Sequence, residues 1–138
     1  MTAAQDRRGH TQDGAAAGTF PPAPAAVRAA REFVVDLLVG GEVADTAALL
    51  VSELATNAVE HARTDFTVRV ALGPTVRVEV ADRSPALPVQ RHVPVQAERG
   101  RGLAIVDSLA IRWGTSSTPE GKVVWFELPA GDPAPRST

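Results

Sequence analysis

LLVSELATNAVEHA, from Leu49 to Ala62, is the stretch from which the fold is read. Its apolar residues Ala47, Val51, Leu54, Ala58 and Ala62 recur at three- and four-residue intervals, the period of a helix with one buried face. At about 100° per residue, Glu53, Asn57, Glu60 and His61 share one sector of that helix. Glu53 and Asn57 lie beside the apolar stripe, one turn apart and pointing the same way. A carboxylate and a carboxamide so spaced could hold a hydrated metal and a water together. An ordinary amphipathic helix with a solvated polar face shows the same pattern.

On either side of this helix the chain changes character. Ala23 to Gly40 reads as a first helix, with Val27, Ala30, Val34, Leu37 and Leu38 on its apolar face and Gly40-Gly41 as its stop. Asp45 is the expected N-cap of the second helix. Beyond Ala62 the period falls from 3.6 to 2. Phe66–Leu72 and Val76–Asp82 alternate apolar with Thr, Arg or Glu across a Gly73-Pro74 turn, an antiparallel hairpin with one covered face. Ser84–Arg99 carries three prolines and no periodicity, which marks a long loop. A short helix at Leu103–Leu109, a strand near Ile111–Thr115 and a last strand at Lys122–Leu128 complete the order. Residues 1–18 and 130–138 read as disordered tails around one domain at 19–129. Helix, helix, hairpin, loop, helix, hairpin implies an α+β fold: a two-layer α/β sandwich whose mixed, mostly antiparallel sheet is covered on one face by helices.

Composition narrows the function. The chain has 138 residues, 44% apolar and 22% charged, and a formal charge of −2. These are the values of an ordinary globular domain with no electrostatic case for binding nucleic acid. It lacks cysteine, so disulfides, thiolate metal sites and a cysteine nucleophile are excluded. No apolar run approaches the ~20 residues that span a bilayer, and no apolar leader opens the chain, so a cytoplasmic location away from membranes is expected.

Beyond the Glu53–Asn57 face, three places carry chemistry. Asp82 ends an apolar strand, where its carboxylate could accept from an amino group such as that of adenine, or simply initiate a turn. In Arg99-Gly100-Arg101-Gly102-Leu103, glycines before a helix let backbone N–H groups approach a phosphate, and the arginines add charge-assisted contacts. A plain loop-to-helix turn has the same glycines. Gly121-Lys122 reads as a hairpin turn followed by a solvated lysine, and Lys122 is the sole lysine in the chain.

Taken in order, Glu53-x-x-x-Asn57, Asp82 with its following loop, and Gly100-x-Gly102 resemble the N, G1 and G2 boxes of the gyrase/histidine-kinase-like (GHKL) ATPases. VSELATNAVEHA, VEVADRSPALP, ERGRGLAIVDSLA, Trp113-Gly114 and GKVVWFEL are similar to the small bacterial branch of anti-sigma-factor serine/threonine kinases, from about Phe20 to Leu128. The resemblance implies a Bergerat-type fold binding ATP with Mg2+. Glu53 would be the catalytic general base, Asn57 the metal ligand, and Asp82 the reader of the adenine amino group. Ser84, Arg99, Gly100, Arg101, Gly102 and Leu103 would join Asn57 and Asp82 as nucleotide-binding residues, with Ser84–Arg99 as lid. In the wider superfamily glycines follow the G1 aspartate, whereas here the chain reads Asp82-Arg83-Ser84-Pro85-Ala86. The implied partners are an anti-anti-sigma-type (STAS) protein as phosphoacceptor and a sigma factor, and homodimerisation is usual in such proteins. A non-catalytic ATP-binding interaction module is the alternative.

Overall fold

Apolar alternation on strands and a 3.6-residue stripe on helices can both be buried only if the helices lie across one face of the sheet, and that is the arrangement found. The computed structural model describes residues 11–12, 15–39, 41–84 and 101–130. Most of the Ser84–Arg99 loop and residues 1–10 and 131–138 lie outside them. The order is β1 (Thr11–Gln12), β2 (Ala15–Phe20), α1 (Pro24–Leu38), α2 (Gly41–Asn57) running into a π-helical turn (Ala58–Ala62), β3 (Phe66–Leu72), β4 (Thr75–Asp82), α3 (Arg101–Leu109), β5 (Arg112–Thr118) and β6 (Gly121–Pro129). The six strands lie in the order β1-β2-β3-β4-β6-β5, and every pairing among the described residues is antiparallel. Phe66, Val68 and Val70 of β3, Val76, Val78 and Val80 of β4, and Val124, Phe126 and Leu128 of β6 share one core with Ala30 and Val34 of α1 and Leu50, Val51 and Leu54 of α2. Each of these larger side chains contributes about 1.5–3 kcal/mol by leaving water. No helix among the described residues is long and apolar enough to cross a membrane.

Three local expectations are corrected. The stretch expected as a tail up to residue 18 contains β2, paired with β3 from Ala15↔Ala71 to Phe20↔Phe66. Its first four residues, Ala15 to Gly18, have little strand propensity, so that part of the strand owes its form to the backbone partners offered by β3. Helix α2 opens at Gly41, whose φ of 93° only glycine adopts without strain, a turn ahead of the Asp45 cap. The α-helical period also stops at Asn57. Arg63 N–H donates to Ala58 O at 2.8 Å, a bond five residues long, and Arg63 closes the turn at φ 57°. The four-residue sector therefore holds for Glu53 and Asn57, while Glu60 and His61 sit on the π turn and are exposed.

The sheet face away from the core carries its own packing. Arg77 lies 4.1 Å above the Trp125 ring, and the other side of that ring covers Gly114, its cross-strand partner. A Cβ at Gly114 would stand 2.9 Å from Trp125 Cζ2. Gly114→Ala should therefore lower stability by about 1–3 kcal/mol in urea titrations, as the Trp125 ring is displaced from its place over Gly114. Beside it, Arg112 Nη2 reaches Glu127 Oε1 at 2.7 Å and Arg77 Nη1 reaches Oε2 at 3.2 Å. The hydrogen bond from Arg112, opposed by burial and aided by Arg77, holds the Glu127 carboxyl below its ordinary 4.5. A carboxyl more acidic in the folded chain than in the unfolded one stabilises above the unfolded value, and that contribution fades as pH falls through the lower, folded one. Stability of Glu127→Gln should consequently fall less steeply than wild type below about pH 4.5, as measured by urea midpoints across pH.

Candidate functional site

Helix α2 is the element common to the site. It packs against β4, which ends in Asp82, against β6, which opens with Gly121-Lys122, and against α3, which opens with Arg101-Gly102. Val51, Leu54, Ala55 and Ala58 are buried against the core, and Glu53 and Asn57 flank that stripe half-buried. Neither side chain has a hydrogen-bond partner among the described residues.

Asp82 sits on the helix-facing side of β4, in line with Val76, Val78 and Val80, directly across from Lys122 on β6. Lys122 Nζ donates to Asp82 Oδ2 at 2.6 Å, and the two side chains are only 11% and 5% exposed. Ser84 N–H donates to Asp82 Oδ1 at 2.8 Å, an Asx turn that bends the chain out of the strand. Arg83 N–H donates to Thr64 Oγ1 at 3.0 Å and ties this exit to the start of β3. Asp82 is therefore both turn former and buried acceptor of the Lys122 ammonium.

The reading of Lys122 as a solvated lysine is overturned. The reason lies in Gly121, where a Cβ would meet Asp82 O and would stand 2.6 and 2.8 Å from Arg83 Cα and C. Without a side chain there, β6 starts hard against the end of β4, and the next residue is held over Asp82 rather than in solvent. A signal was available, since the one lysine of an arginine-rich chain falls at this point, but its partner is 40 residues away.

Arg99 and Gly100 lie outside the described residues. Gly102 falls within the first turn of α3 rather than ahead of it, because the helix begins at Arg101. Leu103 is half-buried and packs on the core. Asp107 Oδ1 accepts from Trp113 Nε1 at 2.8 Å, which fastens α3 to β5 and gives the Trp113-Gly114 pair a structural duty on both faces of the sheet.

A buried carboxylate, an acid–amide helix face and a glycine-bearing helix start all border one helix of this two-layer α+β domain. The chain belongs to the histidine kinase-like ATPase domain family, which it matches over residues 20–128. It is 38% identical over 88 residues to an uncharacterised protein of Streptomyces coelicolor, SCO4941, an alignment covering 59% of this chain and 83% of that one. Its fold is similar to that in the crystal structure of the RsbU and RsbW domains of Rv1364c from Mycobacterium tuberculosis, with a TM-score of 0.67 and 21% identity over 90% of this chain. The chain spans about a third, 34%, of the length of that larger protein.

Proposed function

We propose that this protein binds ATP with Mg2+ and transfers the γ-phosphoryl group to a serine or threonine of an anti-anti-sigma-type (STAS) protein in the cytoplasm, switching its hold on a sigma factor or related regulator. The observation that carries this reading is the Glu53–Asn57 pair, without hydrogen-bond partners among the described residues, on the helix that touches both Asp82's strand and α3. Membership of an ATPase family and the likeness to a chain with an RsbW domain support it.

Each residue has a distinct task in that scheme. Asp82 accepts from the adenine amino group, for which its carboxylate keeps two of four acceptor sites after Ser84 N–H and Lys122 are counted. Gly100 and Gly102 admit the phosphates to backbone N–H groups, with Arg99 and Arg101 adding charge and Ser84 and Leu103 bordering the nucleotide. Asn57 fits magnesium by the chemistry of its donor, since that ion takes few protein oxygens and keeps waters. Bound there, magnesium would offset the negative charge of the triphosphate. Glu53 takes the proton of the attacking hydroxyl as its oxygen bonds to the γ-phosphorus and the bond to the ADP oxygen breaks.

Glu53→Ala should lower phosphoryl transfer to a STAS partner about 10²–10⁴-fold while ATP affinity stays near wild type. Labelled-phosphate transfer and calorimetry measure the two quantities. The second reading is a contact module that holds ATP without turnover. That module predicts binding in wild type and Glu53→Ala alike, with no transfer by either.

A further inference from the structure

We propose that Thr64 is a positioning residue for nucleotide selection: its hydroxyl sets the bend at which the chain leaves β4, and through that bend the direction in which the Asp82 carboxylate meets the amino group of adenine. The inference rests on the ATP reading above and deepens it. Continuing the β3–β4 register one pair beyond Phe66↔Asp82 would place Arg83 opposite Asp65. A side chain stands between them instead. Arg83 N–H donates to Thr64 Oγ1 at 3.0 Å, and Thr64 Oγ1 donates to Asp65 O at 2.9 Å. With its proton committed to Asp65 O, the hydroxyl turns a lone pair to Arg83. Strand pairing thus ends with the two chains held apart by one hydroxyl.

That spacing reaches the carboxylate through one peptide unit. Asp82 Oδ1 accepts from Ser84 N–H at 2.8 Å, so the plane of the carboxylate follows the placing of the Arg83–Ser84 peptide. On the other flank the chain is packed on Gly121, where an added Cβ would stand 2.6 and 2.8 Å from Arg83 Cα and C. The Arg83 backbone is therefore held between Gly121 and the Thr64 hydroxyl, while its side chain is exposed. Neither Arg83 nor Ser84 has a positive φ, so the bend comes from these side-chain hydrogen bonds and not from a left-handed residue. Thr64 lies at the end of the sheet and outside the apolar core, where losing one hydrogen bond costs the fold little.

The test compares ATP with purine riboside triphosphate, which has hydrogen in place of the amino group. Wild-type protein should bind ATP about tenfold more tightly. Thr64→Val keeps the shape of the side chain and removes the hydroxyl. It should bind ATP about three- to tenfold more weakly than wild type while binding purine riboside triphosphate nearly as well, so that most of the preference is lost. Thr64→Ser, which keeps the hydroxyl, should restore the preference; a merely structural loss would weaken both nucleotides alike. In the wild-type full chain, ATP should shift the backbone amide resonances of Arg83 and Ser84 more than purine riboside triphosphate does, a readout that needs no substitution. A Thr64→Val preference equal to that of wild type, a Thr64→Ser preference no better than that of Thr64→Val, or amide shifts equal for the two nucleotides overturns the role of Thr64 and leaves ATP binding standing. Failure of wild type to bind ATP at millimolar concentration overturns both.

Discussion

Gly121→Ala should leave the domain largely unfolded at room temperature, with a loss of about 4 kcal/mol or more. The added methyl would meet Asp82 O and stand 2.6 Å from Arg83 Cα, and these atoms are backbone of the adjoining strand rather than the tip of a flexible side chain. Relief requires β6 to part from β4 at the point where both enter the site. Domains of this size are stable by only about 5–15 kcal/mol, so one such separation consumes much of the margin. Circular dichroism and urea titration measure the loss. Gly114→Ala is the internal comparison, since its clash is with the Trp125 ring, which can tilt. A loss at Gly121 no larger than at Gly114 would show that the β4–β6 junction yields freely.

The second large effect follows from removing one member of the buried ion pair. Lys122→Met leaves the Asp82 carboxylate enclosed, with Ser84 N–H as its remaining hydrogen-bond donor among the described residues, and should cost about 3–5 kcal/mol. Asp82→Asn combined with Lys122→Met removes both charges and should recover most of that loss. Urea unfolding of wild type, the two single variants and the double variant at pH 7 closes the cycle. Strict additivity of the single losses would mean that the 2.6 Å contact carries no coupling.

What could be read in advance divides by the range of the interaction. Helix α2 and the β3–β4 hairpin announce themselves, since Val51, Leu54, Val68, Val70, Val78 and Val80 recur at the period of the element that buries them. The position of Asp82 at a strand end was legible for the same reason. Its partner was not, because whether Lys122 faces Asp82 or solvent depends on a register between strands 40 residues apart. The Ala15–Gly18 part of β2 was missed because alanine and glycine signal no strand, and its backbone is ordered by β3. The start of α2 was placed late because Asp45 satisfies a local capping rule, while the true start uses the left-handed φ of Gly41.

The π turn after Asn57 has a consequence for chain length. A turn closed by a bond five residues long holds one residue more than an α turn, as the Arg63 to Ala58 bond shows. Loss of one residue between Ala58 and Ala62 can be taken up by winding the turn as α-helix, without moving Glu53 or Asn57 upstream or the entry to β3 at Phe66 downstream. The segment is thus a store of slack, placed between the helix that presents the acid–amide pair and the sheet that presents Asp82. Natural variants that differ by one residue should place that difference here and not between Glu53 and Asn57, where any change of count would swing the carboxylate and the amide onto different faces of the helix.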